Sequence, residues 1–576
     1  MTIQRITNHR SFMPGLAGLL AFFYTLPFLL KLSYWGGRDW DLFTTMAAVP
    51  VGSIMHYGQF PFWNPYLGGG NILFHHPEVA IFSPFMLLYL IFGAVIGLKL
   101  QVLVCYWLGF YGSGKLAQHL GMSKTATVLV LVSYFGSVHF ALHFAEGHIP
   151  FTHFCFLPWI AYFLLRSDSG VRDLIGAGVG IALIVLGNGA AIPMLYSLSF
   201  VALLLLLVSL TRKKYILLQK LFIATVVGAG LAAVKLVPML VYLYQNKWPG
   251  NPDESVPLSA LGSIFFGLKH SLYEQNFAEQ FWAWHEYGAY MSPLLVILAV
   301  FALILCWRRH WYWIVLALFF LILGLGNFGW FSPWSLLSHL PGFSSARCTG
   351  RAFQMVILSI AILGGFGFDL IRRRFAESAR RVWVNSAISL SVVIIIATNL
   401  ILAWPIMSSA FKQPPQAVPR SDTFVQVVDD QPQAYKNYLA NRGSLVTPWL
   451  SAYHPSRGLV DMANVVHAEY VASGKIDSVQ REYTPNRIEY EFTATQPGEL
   501  IIGMGYDRGW RTEDGRELTE RQGLLSFSFE AGSQRVVMVY GTPYFCHGLV
   551  ISLIFVVGTV LASMFARRQF PAPNKV

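Results

Sequence analysis

Residues 36–84 read GGRDWDLFTTMAAVPVGSIMHYGQFPFWNPYLGGGNILFHHPEVAIFSP, and the rest of the chain is organised around them. The stretch follows the first long apolar segment and is polar, aromatic and rich in glycine. Because charge near a bilayer is costly and usually serves a function, a polar loop between membrane spans is where we expect chemistry. Its candidate residues are two aspartates, two adjacent histidines and a glutamate: Asp39, Asp41, His75, His76 and Glu78.

The composition identifies the class of protein. Of the 576 residues, 55% are hydrophobic and only 12% are charged, and the mean hydropathy is +0.51. Apolar runs of about 20 residues recur along the chain, as in polytopic α-helical membrane proteins. The net charge of +12 comes mainly from short Lys and Arg clusters between these runs, which is typical of cytoplasmic loops and predicts no nucleic acid partner. The five cysteines are scattered and predict neither a disulfide framework nor a cysteine-based zinc site.

The basic clusters predict the topology. All of them fall on the cytoplasmic side if Val79 to Leu98 lies at the outer surface or re-enters, instead of crossing the membrane. This arrangement has about twelve spans, and the first one is too long for a signal peptide and is retained. The spans are predicted near residues 12–34, 100–119, 126–143, 150–166, 174–190, 192–210, 216–243, 289–306, 311–327, 350–371, 383–406 and 545–565.

The segment 407–544 differs in kind from the rest. It becomes polar, passes through a proline-rich linker and then alternates as strands do, with Gly and Asp-Gly turns between the runs. We expect a small extracytoplasmic β-domain, either a sandwich or a rolled sheet. The predicted division is a transmembrane domain at 1–406 with its outer loop at 35–99, the β-domain at 407–544, and a last span with a cytoplasmic tail at 545–576.

Three predicted outer loops place polar groups where they can meet over one cavity. Two arginines on one face of a helix can bind a phosphate together. Carboxylates that face such a pair at a membrane surface indicate group transfer from a lipid phosphate. One carboxylate would act as general base on an acceptor hydroxyl, and the arginines, with or without a metal ion, would stabilise the leaving phosphate. The residues are Asp39 and Asp41 in the first loop, His143, Glu146 and His148 in the second, and Arg347 and Arg351 in the third.

Each of these features has a simpler interpretation. Either aspartate can cap the helix that follows it, and the arginines, four residues apart, can anchor the end of a span by snorkelling. The histidines of the first two loops could form a metal site, either at His75-His76 or at His143 and His148 with Glu146. The simpler interpretation is that they are ordinary interfacial polar groups, because their spacing matches no standard ligand motif. If a metal ion does bind, the candidate ligands are Asp39, Asp41, Glu146 and His148.

The first loop also resembles that of YfhO-like membrane proteins, which belong to the GT-C superfamily of polyprenyl-phosphate-sugar-dependent glycosyltransferases. The matching motifs are DLF at 41–43, GQFPFWNPYLGGG at 58–70 and FSP at 82–84. Leu340 to Leu370, with its Pro-Gly turn, paired arginines and Gly-rich span, is similar too, as is the β-segment before a single last span. The family often has a proline between the paired arginines, where this chain has Cys348-Thr349-Gly350.

The resemblance implies a GT-C fold with interfacial or re-entrant helices in the first outer loop. It also implies a catalytic acid in that loop and a second acid in the next one. Carried over to this sequence, the first acid is Asp41 or Asp39, with Asp41 favoured because it begins the DLF match, and the second is Glu146. The implied donor is a polyprenyl-phosphate-linked sugar, used on the outer face of the bacterial inner membrane, and the need for a divalent metal ion stays open.

We therefore expect an inverting membrane glycosyltransferase that moves a sugar to an extracytoplasmic acceptor, namely a cell-envelope glycan, a lipid or a surface protein. One alternative is a transporter or flippase of lipid-linked sugars, which would carry its charges at mid-membrane in repeated halves. Another is a non-catalytic envelope assembly protein built around the β-domain. Besides the acids and arginines, the predicted substrate pocket comprises Trp63, Asn64, His75, His76, Glu78, His143, His148 and His285.

Overall fold

The computed structural model describes residues 12–166, 170–213, 215–246, 250–270, 283–377, 380–427, 433–445 and 469–569. Within the predicted β-domain, residues 428–432 and 446–468 lie outside the described residues, as does the predicted tail beyond residue 569. The described chain consists of a large helical part followed by a sheet and a final helix.

The α-helices, in chain order, are α1 Phe12–Leu29, α2 Asp39–Met55, α3 Phe85–His119, α4 Lys124–Tyr134, α5 Val138–Glu146, α6 Leu157–Leu165, α7 Val171–Leu186, α8 Ile192–Arg212, α9 Ile216–Leu231, α10 Ala233–Gln245, α11 Leu261–Phe266, α12 Trp284–Tyr287, α13 Pro293–Gly324, α14 Pro333–Leu337, α15 Phe353–Arg374, α16 Arg381–Ser408, α17 Ala434–Leu439 and α18 Phe545–Gln569. Short 3-10 helices add to these, and the longest, Ile149–Phe156, leads directly into α6. The strands are β1 Trp35–Gly36, β2 Trp63–Asn64, β3 Asn71–Ile72, β4 Phe411–Gln413, β5 Val425–Val427, β6 Arg442–Ser444, β7 Glu469–Thr484, β8 Arg487–Gly505, β9 Trp510–Thr512, β10 Thr519–Arg521, β11 Leu524–Phe529 and β12 Gly532–Tyr540.

The helices make this a multi-pass membrane protein. Among the described residues, eight helical segments are long and apolar enough to cross a membrane, and the pair α9–α10, bent by 91°, adds a ninth if it counts as one span. The figure of about twelve spans stays a prediction. Two of the predicted spans correspond to shorter helices, at 149–165 and 171–186, and two others are joined in α13.

Two of the long helices contain a break at which the chain doubles back. In α3, Gly93 has φ +76° and ψ 165°, and a Cβ on Gly97 would lie 2.9 Å from the backbone of Leu88, so the first two turns fold against the longer part. In α13, non-helical geometry at Cys306 and His310 separates two halves that both pack on α15. In the first half, Leu295 lies against Gly364 and Leu298 against Gly367, so this half runs parallel to α15. In the second half, His310 stacks on Phe366 and Gly324 lies against Phe353, so this half runs antiparallel to α15.

The predicted β-domain is confirmed as an antiparallel sheet of six strands. Its order is β10-β11-β8-β12-β9, and β7 pairs with β8. In β8 the alternate residues Ile488, Tyr490, Phe492 and Ala494 are buried. This period of two is what a strand shows when one face packs on a core and the other meets solvent.

The predicted first outer loop, residues 35–99, packs against this sheet. The Trp63 ring lies 4.6 Å from that of Tyr540 and 5.6 Å from that of Trp510, measured between ring centroids. Asn486 accepts a hydrogen bond from the backbone N–H of Trp63 at 3.1 Å. The loop approaches closely because Gly70 has φ +100°, and a Cβ there would overlap Met504 and Trp63. The glycine triplet at 68–70 therefore seats the loop on the β-domain.

Lys235 fixes the other end of the same loop. Lys235 belongs to α10, and its side chain is buried in the protein. Its Nζ donates hydrogen bonds to the carbonyl oxygens of Val79 at 2.6 Å, Gly187 at 2.7 Å and Pro77 at 3.3 Å. A buried ammonium is costly unless it is hydrogen-bonded. This lysine therefore ties α10 and the end of α7 to the outer loop.

We expect Lys235→Met to lower the melting temperature of the detergent-solubilised protein. The change leaves three interior carbonyl groups without this donor, and each buried unsatisfied polar group costs about 1–3 kcal/mol. Lys475→Met, the same substitution at an exposed position of β7, is the matched control and should leave the melting temperature unchanged. Equal melting temperatures for the two variants would show that Lys235 does not hold the loop.

Candidate active site

One cavity of about 1480 Å³ collects most of the predicted site residues. Its polar end is formed by the start of α2, the turn after α5, the short helix α12 and the segment that leads into α15. Its apolar walls come from α8 and α10. The charged and histidine residues in its lining are Arg38, Asp39, Glu78, Glu146, His148, His285, Glu286, His339, Arg347 and Arg351.

Gly147 brings the two acidic loops together. It follows the last residue of α5 in the left-handed conformation, with φ +106°, and its N–H donates to the carbonyl of His143. A Cβ at this position would overlap the backbone nitrogen of Trp40. Only glycine allows the turn to lie against the peptide that joins Asp39 to Trp40, which places Asp39 and Glu146 in the same cavity.

Each of these two acids has a specific partner. Asp39 Oδ2 lies 3.2 Å from Nε2 of His148, and the Asp39 side chain is 25% exposed towards the cavity. Glu146 is more buried, at 9% exposed, and its Oε2 accepts from Arg38 Nη1 at 2.5 Å and lies 3.7 Å from Nδ1 of His285. Asp39 is therefore the more accessible of the two carboxylates.

Arg38 is a site residue that the sequence did not reveal. Its backbone has φ 57° and ψ −133°, a conformation that a non-glycine residue rarely adopts. The strain is held by the ion pair with Glu146. No residue pattern around Arg38 points to this role, because its partner lies in a different loop.

His148 is surrounded by charged groups from several elements. Burial lowers its pKa, but the hydrogen bond to Asp39 and the charges of Glu286 and Asp39 outweigh this, and the pKa lies above its ordinary value. Nδ1 of His148 faces Nδ1 of His143 at 2.7 Å, and the His143 ring stacks on Phe151. His143 thus lies behind His148, away from the cavity.

The two predicted arginines differ in their surroundings. Arg351 forms a two-pronged ion pair with Glu286, with Nε 2.8 Å from Oε2 and Nη2 bonded to Oε1. Burial acts to raise the pKa of Glu286, but Arg351 dominates and holds it well below its ordinary value. Arg347 also lines the cavity, and no described carboxylate lies within ion-pair distance of it. Arg347 is therefore the arginine that is free to bind a ligand phosphate.

Asp41, which the sequence favoured as catalytic acid, lies outside the cavity lining. Its two oxygens accept the backbone N–H groups of Ala434 at 2.6 Å and Tyr435 at 3.0 Å, which caps the start of α17. Burial raises its pKa to about 6, against the effect of these two donors. The geometry therefore reverses the preference between the aspartates: Asp39 faces the cavity, and Asp41 docks the polar segment that follows α16.

Most of the predicted pocket residues of the first loop are also structural. Trp63 packs on the β-domain, and Asn64 accepts from the backbone of Tyr66 at 3.0 Å. His75 is buried beside Tyr242, and burial lowers its pKa to about 3. His76 accepts the N–H of Glu78 at 3.2 Å. Of these five predicted residues only Glu78 lines the cavity, because the loop turns its aromatic and histidine side chains towards the protein interior.

Three groups could hold a metal ion. His143, His148 and Glu286 each offer a ligand atom, and the three atoms lie within 4.8 Å of one another. This set contains both histidines of the possible metal site formed by His143, Glu146 and His148, but it has Glu286 in place of Glu146. Of the candidate ligands Asp39, Asp41, Glu146 and His148, it contains only His148. Asp39 and Glu146 lie near it in the cavity, whereas Asp41 does not.

No family model and no curated protein matches the chain. Five chains of solved structures are similar to parts of it, including the following three. The arabinofuranosyltransferase AftD from Mycobacteria gives a TM-score of 0.44 at 14% identity, over 73% of this chain and 28% of AftD, so this chain spans little more than a quarter of that protein. ArnT from Cupriavidus metallidurans in the apo state gives 0.45 at 13% identity, over 75% of this chain and 84% of ArnT. The same protein bound to undecaprenyl phosphate gives 0.38 at 15% identity, over 75% and 85%.

Glu254 lies behind the site and should make stability depend on pH. Tyr287 donates to its Oε1 at 2.5 Å, and burial raises its pKa from 4.5 to about 7. Between these values the folded protein keeps a proton that the unfolded chain has lost, so stability falls as the pH rises through this window. Glu254→Gln, which mimics the protonated acid, should remove this part of the fall in melting temperature between pH 4.5 and pH 7. Parallel profiles for wild type and variant would contradict the assignment.

Proposed function

We propose that the protein is an inverting membrane glycosyltransferase that takes its sugar from a polyprenyl-phosphate carrier. One observation carries the proposal: a single cavity joins an acid-bearing polar end to walls of aliphatic side chains. That combination fits an amphiphile with a charged headgroup and a long hydrocarbon tail. The apolar lining residues of α8 and α10 include Leu195, Leu198, Leu236, Met239, Leu240 and Leu243.

The cavity offers separate surfaces for the two parts of such a donor. Arg347, which pairs with no carboxylate among the described residues, provides a guanidinium for the phosphate. A guanidinium matches a phosphate with two parallel hydrogen bonds. On the apolar side, Leu240 and Tyr244 of α10 are 54% and 87% exposed, so this wall continues to the outside of the protein. A lipid tail could enter along α10 while the headgroup stays at the polar end.

Asp39 is the proposed general base. His148 holds one carboxylate oxygen, which leaves the other to accept the proton of an acceptor hydroxyl. The deprotonated oxygen attacks the anomeric carbon, a new C–O bond forms there, and the bond to the phosphate oxygen breaks. The lipid phosphate leaves with its electron pair and is stabilised by Arg347. Because this is a single displacement, the configuration at the anomeric carbon inverts.

Glu146 has a supporting role in this scheme. Its ion pair with Arg38 fixes the segment immediately before Asp39, so it positions the base without contacting the hydroxyl. The charged groups gather at helix ends and in the loops between them, which is expected if the site lies at the level of the lipid headgroups. We place this site on the extracytoplasmic side of the bacterial inner membrane, as in YfhO-like proteins, with a cell-envelope glycan, a lipid or a surface protein as acceptor.

Comparing the two neighbouring aspartates tests the proposal. Purified Asp39→Asn protein should lose sugar transfer from a panel of polyprenyl-phosphate sugars by about 100-fold or more, because an amide cannot accept the proton. Asp41→Asn should keep most of its transfer activity and instead lose about 1–3 kcal/mol of stability, because the amide nitrogen cannot accept the second of the two backbone N–H groups that Asp41 binds. Transfer rates and melting temperatures measured on both variants provide the comparison.

The opposite pattern would contradict the assignment of the base. If no polyprenyl-phosphate sugar is consumed by wild type, and Asp39→Asn still complements a deletion strain, the glycosyltransferase proposal fails. A transport or assembly function would then be favoured.

Arg347→Gln should weaken the use of the donor. A charge-assisted hydrogen bond is worth about 1.5–3 kcal/mol, so kcat/KM for the polyprenyl-phosphate sugar should fall by about 10- to 100-fold. Arg508→Gln, which removes an exposed arginine of the β-domain, is the matched control and should leave kcat/KM unchanged. An unchanged kcat/KM for Arg347→Gln would remove this residue from the phosphate site.

A further inference from the structure

Two histidines and a glutamate converge beside the acids of the cavity. One ligand atom from each of His143, His148 and Glu286 lies within 4.8 Å of the other two. The Nδ1 atoms of the two histidines are 2.7 Å apart. Glu286 belongs to α12, far along the chain from the histidines at the end of α5, so the fold itself assembles the cluster.

Each of the three groups can offer a lone pair to a bound ion. Arg351 uses one lone pair on each oxygen of Glu286, and a carboxylate oxygen has two. His148 turns Nε2 to Asp39, and its Nδ1 forms a hydrogen bond with Nδ1 of His143 at 2.7 Å. An ion bound between these two nitrogens would replace that hydrogen bond. A carboxylate that accepts from the remote nitrogen of a histidine orients the ring for metal binding. Nε2 of His143 is buried and has no hydrogen-bond partner among the described residues.

The charge of the cavity also favours a cation. Binding of a metal ion to His148 requires the neutral ring and displaces its proton. With neutral histidines, the four carboxylates and three guanidiniums of the lining leave an excess of one negative charge. An isolated buried anionic site is costly, and a bound cation offsets that cost. These lining groups are Asp39, Glu78, Glu146 and Glu286 on the acidic side, and Arg38, Arg347 and Arg351 on the basic side.

We propose that His143, His148 and Glu286 bind a divalent metal ion of the zinc class. Two imidazoles and one carboxylate are the protein ligands of many zinc sites that keep a coordination position open. Here the open position would face the cavity, because His148 and Glu286 both line it. The proposal does not depend on the transfer reaction, since binding of the ion can be measured with no donor or acceptor present.

The test is zinc binding by the full-length protein in detergent. Protein stripped with a chelator and dialysed against Zn²⁺ should retain about one ion per chain, as a three-ligand site predicts. His148→Ala should raise the Kd for Zn²⁺ at least tenfold, and Asp39→Asn should raise it by about 10- to 100-fold through the lost support of the ring. His56→Ala, which removes an exposed histidine at the end of α2, should bind as wild type does.

The proposal is overturned if wild type retains no ion, or if His148→Ala binds zinc as tightly as wild type. His143 is fully buried, and a substitution there can prevent folding. Its role as a ligand is therefore tested on wild-type protein loaded with Co²⁺, by the absorption spectrum of the ion. Intense d–d absorption would indicate protein nitrogen ligands in a low-coordinate site, whereas the weak spectrum of hydrated Co²⁺ would contradict the site. Zinc bound at this stoichiometry without any sugar transfer would remove the proposed function and leave the metal site standing.

Discussion

The close contact between Gly147 and the peptide that precedes Trp40 is the constraint on which the site depends. A side chain at Gly147 would push the turn after α5 away from the start of α2. Asp39 and Glu146 would then separate, and Arg38 would lose the ion pair that holds its strained backbone. The acids, the arginine and His148 form one group only because a left-handed glycine stands directly after Glu146.

The same principle separates the roles of two aspartates that lie two residues apart. At the start of a helix, positions i and i+2 point in different directions. Asp39 therefore faces the cavity and Asp41 faces the chain after α16, where it caps α17. With Trp63 against the sheet and Lys235 at the far end of the loop, Asp41 forms part of a frame that keeps Asp39 in place. In our proposal, one loop thus supplies both the base and the attachment that orients it.

The sequence predicted the architecture better than the site. Long apolar runs and the period of two in β8 report local structure directly, so the membrane helices and the β-domain could be predicted. The convergence of Asp39, Glu146 and Arg347 on one cavity followed from their placement in outer loops. Arg38 was missed, and neither the ion pair of Glu286 with Arg351 nor the attachment of Asp41 to α17 was predicted, because the partners lie in distant parts of the chain. The aromatic and histidine residues of the first loop looked like a pocket, but their burial against the β-domain is a tertiary effect that no local pattern records.

The most direct test of the account is a structure of the protein, by cryo-electron microscopy, with a polyprenyl phosphate bound. The account predicts that the phosphate lies at Arg347, that the hydrocarbon chain follows the exposed face of α10, and that the phosphate and Asp39 border the same space. A phosphate bound outside the cavity, or a lipid chain whose headgroup lies at mid-membrane away from Asp39, would contradict it.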